Sequence, residues 1–310
     1  MVWWRKKEKK EGPKILITGG LGFIFSHVTE YYVQKGWDVV VVDNLSEGSN
    51  PQIIDGSFKH IHAHMAHLEV VETIVREKPD YIVHAAAITD VDYSIREPRR
   101  TFEKNMLGST HAFEAARQLP DLRKIVYVST DEVYGECDHP MREDEMLAPR
   151  SPYACSKAAG SLMRVAYENT YPILLGRTVE IRPCNIFGPR QAREKILARI
   201  KESLQTGEPL PLHNEGKGYR EFLYVKNIPS ALDLVLEKGD GVYNVGAAEG
   251  HTVLELIEKV EKITGKKIRT IPERRSGMDM RYETDSTRIK ALGWKPSYTF
   301  DEGLREYFLS

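Results

Sequence analysis

The sequence predicts an α/β fold in which a doubly wound parallel sheet is followed by a smaller C-terminal lobe. Short apolar runs rich in Val and Ile, such as residues 14–18 and 38–42, alternate with helix-length amphipathic segments through the first half of the chain. Because these runs are continuous, they are typical of parallel strands that helices cover on both faces. Beyond Arg182 the pattern changes, since prolines and glycines divide residues 183–211 into short elements.

The apolar runs and the turn residues place individual elements. Strands are expected at residues 14–18, 38–42, 58–62, 80–84, 124–129 and 178–181, with a further core strand at 242–245. Helices are expected at residues 22–35, 152–171, 194–205, 226–237 and 252–264. The last of these helices is well patterned, with Val253, Leu256, Ile257 and Val260 on one face.

The composition is that of a folded and nearly neutral protein. Of its 310 residues 41 % are hydrophobic and 29 % are charged, which is too much apolar material for a disordered chain. With 44 basic and 45 acidic residues the net charge is −1, so composition favours no nucleic-acid partner. No apolar run approaches the roughly 20 residues that span a bilayer, so no membrane insertion is expected.

Residues 1–13 are expected to form a solvated tail, because two tryptophans precede a charged run and no apolar segment follows it. The alternative is contact of these tryptophans with a membrane surface. The three cysteines, Cys137, Cys155 and Cys184, are odd in number and form no CxxC pair. A reducing, cytoplasmic location is the simplest interpretation.

A glycine-rich turn over Thr18–Ile24 follows the first predicted strand and opens the first predicted helix. Gly19 permits the tight turn, and Gly22 lets the backbone approach a pyrophosphate at the helix N-terminus, where free N–H groups favour an anion. A glycine cluster alone also fits a simple left-handed turn, but its place between strand and helix favours a dinucleotide site. We therefore expect a Rossmann-type sheet.

Asp43 ends the second predicted strand, 24 residues after Gly19 in the chain. A carboxylate there accepts hydrogen bonds from the adenosine ribose and repels a 2′-phosphate, which favours NAD over NADP. The alternative is a turn or cap residue. Phe25 conflicts with the pattern, because a third small residue usually lets the helix pack on the strand. The phenyl ring requires a shift of helix or sheet, with weaker cofactor binding or a reshaped pocket.

These features divide the chain. The NAD-binding Rossmann domain is expected over residues 14–182, with a return segment at about 225–245. The substrate-binding lobe is expected from residues 183–224 and 246–310.

Tyr153 and Lys157 form a Tyr-x-x-x-Lys pair in the predicted helix 152–171, and the i, i+4 spacing puts both side chains on one face. A cationic lysine stabilises phenolate. A tyrosine, whose ordinary pKa is about 10, can then act as a base near neutrality. In isolation such a pair is usually a surface feature.

Ser129, Thr130, Asp131 and Glu132 follow the fifth predicted strand, at the sheet edge where ligands bind in α/β proteins. Two adjacent carboxylates beside a hydroxyl suit acid–base chemistry. The alternative is a loop in which Asp131 is a cap and Glu132 is solvated. The nearby glycine turn and the Tyr-x-x-x-Lys pair favour the acid–base interpretation.

Together these segments resemble the extended short-chain dehydrogenase/reductase family, and within it the dTDP-glucose 4,6-dehydratases. The resemblance runs from Lys14 to about Leu304. Its specific segments are 18–24, 129–135, 151–157, 185–191, 220–225 and 281–294. Segment 129–135, Ser-Thr-Asp-Glu-Val-Tyr-Gly, is the most diagnostic, because sugar 4-epimerases and decarboxylases of this family generally lack the Asp-Glu pair.

The resemblance implies a role for each residue of the site. Tyr153 is the base that takes the proton of the sugar 4-hydroxyl, Lys157 supports it, and Thr130 hydrogen-bonds that hydroxyl. Asp131 is the acid that protonates the leaving group at C6, and Glu132 is the base at C5. The implied cofactor contacts are Gly19, Gly22, Phe23, Ile24, Asp43, Asn44, Met65, Ala85, Ala86, Asn105, Ser129, Tyr153 and Lys157. The implied substrate contacts are Thr130, Asn185, Arg190, Arg220 and Arg281. No metal is expected.

The chemistry of dehydration accounts for the same groups. Oxidation at C4 of a nucleotide-diphosphate hexose makes a ketone, which acidifies the proton at C5. Glu132 can remove that proton while Asp131 assists loss of water from C6. We therefore expect an NAD-dependent 4,6-dehydratase with a dTDP-glucose-like substrate. The alternatives are a 4-epimerase or decarboxylase of the same family, or a nucleotide-sugar-binding protein without turnover.

The chain departs from the family pattern in four places. Phe25 replaces a glycine, and His64-Met65 stands where an Asp-Ile pair usually contacts adenine. Residues 87–89 replace the usual segment after the fourth strand, and Met278 and Met280 stand where a His and an Arg are common. These departures bear on cofactor affinity and substrate identity more than on reaction class.

The helices at 101–118 and 152–171 correspond to those of a four-helix dimer interface in the resembled family, so a homodimer is expected. His60, His62 and His64 alternate as in a metal site. No carboxylate or cysteine joins them at a matching spacing, and we interpret them as structural histidines.

Overall fold

The computed structural model describes residues 12–46, 48–247, 249–273 and 281–310. Most of the tail predicted over residues 1–13 therefore lies outside the described residues, and so do Met278 and Met280. Among the described helices, none has both the length and the apolar character needed to cross a bilayer.

The strands and helices agree in type with the predicted elements, and the second half adds several short ones. The strands are β1 Lys14–Thr18, β2 Asp38–Asp43, β3 Lys59–His62, β4 Tyr81–His84, β5 Lys124–Val128, β6 Thr178–Pro183, β7 Asn185–Phe187, β8 Leu210–His213, β9 Tyr219–Tyr224, β10 Gly241–Val245, β11 Gly250–Thr252, β12 Thr270–Glu273 and β13 Arg281–Tyr282. The α-helices are α1 Phe23–Gln34, α2 Glu69–Glu77, α3 Val91–Arg96, α4 Pro98–Ala116, α5 Pro152–Thr170, α6 Ile196–Thr206, α7 Ile228–Lys238, α8 Val253–Thr264, α9 Thr287–Ala291 and α10 Phe300–Leu309.

Seven strands form one parallel sheet in the order β10-β6-β5-β4-β1-β2-β3. The order reverses between β1 and β4, and open α/β sheets bind ligands beyond the carboxyl ends of the strands at such a point. The predicted Rossmann-type α/β fold is confirmed. Strand β10 reaches this sheet from the second half of the chain.

The continuous apolar runs are explained by burial on both faces of the sheet. Ile15 and Ile17 of β1 belong to one apolar core, whereas Leu16 between them belongs to a second core. All three side chains are fully buried. Burial of one such side chain stabilises the fold by roughly 1.5–3 kcal/mol. Strand residues that face either side of the sheet therefore contribute to stability.

The remaining strands form two small sheets. β9 pairs antiparallel with β11 and parallel with β7 and β13, while β8 pairs with β12. The helix predicted at 252–264 is confirmed as α8. It begins at Thr252, whose hydroxyl forms a capping box with Glu255, and ends at Gly265 with a φ of 69°.

Phe25 lies on α1 and is buried in the apolar core that also contains Leu21 and Val28. The close contact of helix and sheet occurs at Gly20, where an added Cβ would lie 2.9 Å from Val41 Cγ1. The phenyl ring is therefore part of the core beneath α1.

Candidate active site

The turn between β1 and α1 is shaped by Gly19. Its φ is 68°, in the left-handed region, and its N–H donates to the Val42 carbonyl oxygen at 2.8 Å. A Cβ at this position would lie 2.8 Å from the Cα of Ala86. The absence of a side chain thus lets the ends of β1 and β4 approach each other at the point where the strand order reverses.

Helix α1 begins without a side-chain cap from the described residues. Gly22 is its N-cap in an extended conformation, and an added Cβ there would meet only the Gly19 carbonyl oxygen, at 3.3 Å. Phe23 and Ile24 form the first turn and are half-buried. An open helix N-terminus next to a glycine turn fits a pyrophosphate, because its free N–H groups and its dipole favour an anion. The residues present therefore fit NAD.

The Asp43 carboxylate lies at the end of β2 and is buried. It accepts hydrogen bonds from the Leu21 N–H at 3.0 Å, the Leu45 N–H at 2.9 Å and the Ser49 hydroxyl at 3.1 Å. A carboxylate has about four acceptor positions, so capacity for a ribose hydroxyl remains. Half-buried Asn44 accepts a backbone N–H with its own side chain. The ribose contact stays a prediction, and Asp43 additionally fixes the glycine turn through Leu21.

A buried network fixes the segment after β4. The Thr18 hydroxyl oxygen accepts the N–H groups of Ala85 and Ala86, each at 3.2 Å, and lies 2.8 Å from Nδ1 of His84. Nε2 of His84 lies 3.3 Å from the Ser109 hydroxyl. Burial lowers the pKa of His84 to about 3, so the ring is neutral. Thr18 donates to Nδ1 when the ring proton is on Nε2, and this tautomer satisfies every bond.

Asn105 of α4 is buried and holds the same segment through Ile88. Its amide oxygen accepts the Ile88 N–H at 2.8 Å, and its amide nitrogen donates to the Ile88 carbonyl at 3.1 Å and to the Ser156 hydroxyl at 2.9 Å. Asn105 thus orients the segment after β4 and joins it to α5. Met65 is buried in the core beside α4. The cofactor contacts of Asn105 and Met65 stay predictions.

The chain turns sharply after β5 and brings two carboxyl groups to the sheet edge. Ser129 is buried, and Thr130 caps the short 3₁₀ helix 131–134. The Thr130 hydroxyl oxygen accepts the Glu132 N–H at 3.4 Å, and the hydroxyl donates to Asp131 Oδ1 at 3.1 Å. The alternative that Asp131 caps this loop is wrong, because Thr130 is the cap, Asp131 is buried and Glu132 is half-buried. The acid–base roles of the two carboxyls stay predictions.

Asp131 has the properties of an acid. Its side chain is 3 % exposed, and its Oδ2 makes no hydrogen bond within the described residues. Burial raises the pKa of Asp131 to about 8, together with the charges of Glu132 and Glu221 and against the effects of Thr130 and Arg220. The carboxyl therefore carries a proton at neutral pH and can donate it.

Helix α5 carries the predicted Tyr-x-x-x-Lys pair. It begins at Ser151, whose hydroxyl accepts the Ala154 N–H at 3.0 Å. Tyr153 and Lys157 are both buried, whereas Cys155 between them is exposed. The prediction that both side chains share one helical face is confirmed.

Burial raises the pKa of Tyr153 well above its ordinary value, and the charges of Glu132 and Asp131 act in the same direction. A side-chain hydrogen bond with Thr130 has the opposite effect. In this environment the phenol becomes a base only when a nearby cation stabilises the phenolate.

Lys157 is the cationic residue of the pair and follows Tyr153 by four positions on α5. Its ammonium lies 4.8 Å from the centre of the Tyr127 ring, a cation–π contact. Burial lowers the pKa of Lys157 to about 8, and the charge of Glu180 opposes that effect. Glu180 is held by Arg182, whose Nε donates to it at 2.7 Å. Lys157 is therefore mostly cationic at neutral pH.

Three predicted substrate residues lie on the small sheet around β9. Half-buried Asn185 begins β7. The register of β9 and β13 places Arg281 beside Tyr219 and Arg220 beside Tyr282, and each guanidinium lies over the neighbouring ring, at 5.1 Å and 4.6 Å. Because Arg220 also acts on the pKa of Asp131, this sheet reaches the turn after β5.

Arg190 forms its side-chain contacts with helix α1. Its two terminal nitrogens donate to the Glu30 carboxylate at 2.8 Å and 2.7 Å, and one of them donates to the Ser26 hydroxyl at 3.1 Å. Both partners lie on α1. The structure thus gives Arg190 a contact that joins the segment after β7 to α1, and its substrate contact stays a prediction.

Two buried carboxylates of the site were not predicted. Glu180 on β6 and Glu221 on β9 are both 0 % exposed, and their charges act on Lys157 and Asp131 respectively. In the sequence, each is a glutamate within a run of residues typical of a strand. A carboxylate buried in such a strand needs polar partners, so it marks a site or a buried network.

The chain matches the model of the family described as "NAD dependent epimerase/dehydratase family" over residues 15–246. It is 36 % identical to the low-salt glycan biosynthesis protein Agl12 of Haloferax volcanii, over 95 % of this chain and 98 % of that protein.

Two solved structures with different named reactions are similar to this chain. The UDP-glucose 4-epimerase of Thermotoga maritima has a TM-score of 0.89 and 31 % identity, covering 96 % of this chain and 97 % of that one. The dTDP-glucose 4,6-dehydratase of Bacillus anthracis, in complex with NAD, has a TM-score of 0.86 and 30 % identity, covering 96 % of both chains. Overall similarity therefore does not separate the two reactions.

Proposed function

Because the chain belongs to the NAD-dependent epimerase/dehydratase family, we propose that it converts a nucleotide-diphosphate hexose into the 4-keto-6-deoxy sugar. The observation that carries this proposal is the buried carboxyl of Asp131, which adjoins Glu132 at the sheet edge and whose pKa burial raises to about 8. Elimination of water requires an acid for the leaving hydroxyl and a base for the neighbouring proton. Inversion at C4 requires neither.

The cofactor would lie along the turn between β1 and α1. Gly19 and Gly22 would face its pyrophosphate, and Asp43 its adenosine ribose. Bound there, NAD would supply a hydride acceptor for C4 and a hydride donor for C6. The net change would be the loss of one water.

Tyr153 acts on the 4-hydroxyl. Its phenolate accepts the hydroxyl proton, and the Thr130 hydroxyl, which acts on the pKa of the phenol, holds the same sugar hydroxyl in place. Lys157 supplies the positive charge that offsets burial of the phenolate. Arg220 and Arg281 neutralise the diphosphate, with Asn185 as a further sugar or phosphate contact.

Glu132 and Asp131 complete the dehydration. Glu132 takes the C5 proton, which the C4 ketone has acidified. Asp131 gives its proton to the C6 hydroxyl, which leaves as water, and a C5–C6 double bond forms. Reduction at C6 and return of a proton to C5 then give the 4-keto-6-deoxy product.

The second candidate is a 4-epimerase, favoured by the similarity to the Thermotoga maritima enzyme. It would use Tyr153 and Lys157 but would give the two adjacent carboxyls no chemical role. A panel of nucleotide-diphosphate hexoses, incubated with the protein and NAD, distinguishes the two. Mass spectrometry is expected to show a product lighter by one water. A product that keeps the substrate's mass would support epimerisation instead.

We also propose that the protein is a homodimer. Phe102 and Leu107 on α4, and Leu162 and Val165 on α5, are large apolar side chains that the described chain leaves exposed. Light scattering of the wild type is expected to show a dimer, and Leu162→Glu is expected to shift it to a monomer. Leu309→Glu, at an exposed residue that ends α10, is the matched control and should leave the dimer intact. A monomeric wild type at micromolar concentration would contradict the proposal.

A further inference from the structure

Glu221 is a fully buried residue of β9 that no step of the proposed reaction uses. Its Oε2 accepts hydrogen bonds from the Thr284 N–H at 3.2 Å and from the Thr284 hydroxyl at 2.8 Å. Its Oε1 lies against Gly246, where an added Cβ would collide with it. Two donors on one oxygen suit an ionised carboxylate, because hydrogen bonds to the charged form stabilise that form.

The sheet topology places this carboxylate near the acid. β5, β6 and β10 are adjacent parallel strands, and Asp131, Cys184 and Gly246 lie just beyond their carboxyl ends. The Cys184 N–H donates to the Val245 carbonyl at 3.1 Å, so the chain after β6 lies beside the end of β10. Since neighbouring strands are about 4.8 Å apart, Glu221 lies on the order of 10 Å from the Asp131 backbone, across Cys184.

The pKa of the Cys184 thiol responds to both carboxyl groups. Burial raises the pKa of its thiol, and the charges of Glu221 and Asp131 both raise it further. The thiol is free and buried.

We propose that Glu221 is a positioning residue that keeps Asp131 in its acid form, by holding a buried negative charge across Cys184 from it. The inference rests on the proposed dehydration, because only that reaction uses Asp131 as an acid. Like charges in a buried site disfavour each other's ionisation, and water screens them little there. Glu221 thus acts through Asp131 and need not touch the substrate.

Other groups also face Asp131. Glu132 favours the protonated form, whereas the Thr130 hydrogen bond and the Arg220 charge favour the ionised form. The described titratable and charged groups whose charges interact with Asp131 are Glu132 on its own turn, Cys137 after that turn, Tyr153 on α5, Cys184 after β6, and Arg220 and Glu221 on β9.

The role of Asp131 as a proton donor fixes the direction of the pH effect. Asp131 donates a proton, so dehydration falls as pH rises through its pKa of about 8. Loss of the Glu221 charge lowers the pKa of Asp131. Elimination of water is then lost at a lower pH.

The test is Glu221→Gln, which preserves shape and an acceptor for Thr284. The alkaline limb of the elimination step, followed as the decay of the reduced-nicotinamide absorbance after C4 oxidation, is expected to move down by about 1 pH unit. Glu221→Asp keeps the charge and should restore most of that shift. Thr284→Val is the matched structural control, since it removes the hydroxyl donor and leaves the charge, and its alkaline limb should stay in place.

A second readout needs no turnover. Infrared spectra contain the carbonyl band of a protonated carboxylic acid, and the Asp131 band is the one that Asp131→Asn removes. It should disappear at lower pH in Glu221→Gln than in the wild type. If that variant fails to fold, Glu221→Met with Thr284→Val replaces both partners by apolar groups and allows the same titration.

An Asp131 band that titrates alike with and without Glu221 would overturn the inference. A wild type that releases no dehydrated product would overturn the proposed function, and the infrared titration would still decide the inference. The two failures are therefore distinguishable.

Discussion

Asp131→Asn combined with Glu132→Gln is expected to stop formation of the 4-keto-6-deoxy sugar while leaving oxidation at C4 measurable. The double change removes the proton donor and the base of the elimination but preserves side-chain shape. Loss of a positioned acid or base costs about 10²–10⁴-fold in rate, roughly 3–5 kcal/mol of barrier. Product is followed by mass spectrometry, and C4 oxidation by the transient absorbance of reduced nicotinamide.

Glu136→Gln with Asp138→Asn is the matched control, because these two exposed carboxylates lie just after the same turn. It should retain dehydration at the wild-type rate. Unchanged turnover in the Asp131/Glu132 variant would reduce the acidic pair to a loop feature and favour the epimerase.

Tyr153→Phe is expected to suppress the first oxidation itself. Without the phenolic oxygen no group takes the 4-hydroxyl proton, so both the reduced-nicotinamide signal and the product should fall by about 10²–10⁴-fold. The measurement is single-turnover absorbance with excess enzyme.

Tyr167→Phe provides the comparison on the same helix. Its hydroxyl donates to Glu114 at 2.6 Å, outside the catalytic turn, so its loss should leave oxidation intact. Full oxidation by Tyr153→Phe would show that another residue is the base.

Together the two variants establish the order of the two steps, oxidation at C4 and elimination of water. A block at Tyr153 should precede any cofactor signal, whereas a block at Asp131 and Glu132 should follow it. Of these two variants, only Tyr153→Phe would impair an epimerase.

The nucleotide-binding sheet could be predicted because its signals are local. Ile15, Leu16 and Ile17 are apolar in succession, and Gly19 and Gly22 follow at the spacing of a strand–helix turn. These patterns depend on near neighbours, so a single chain displays them. The shared helical face of Tyr153 and Lys157 could be predicted for the same reason, since helical spacing decides it.

The electrostatic surroundings of the site could not be predicted in this way. Glu221 and Asp131 come together only because β9 packs at the end of β10, and Arg190 meets Glu30 across two distant segments. Contacts of this kind leave no periodic pattern in the sequence. The short strands β11 and β13 likewise escaped prediction, because elements of two or three residues give no detectable pattern.

Strand β10 has a consequence for biosynthesis of the chain. It pairs with β6, yet β7, β8, β9, α6 and α7 lie between them in the chain. While the ribosome has delivered β6 but not residues 241–245, the nascent sheet presents an open edge of unpaired N–H and carbonyl groups. Open edges recruit strands from other chains, and slowly completed sheets are exposed to that hazard for longest. The nucleotide-binding sheet is therefore completed only after most of the chain has emerged.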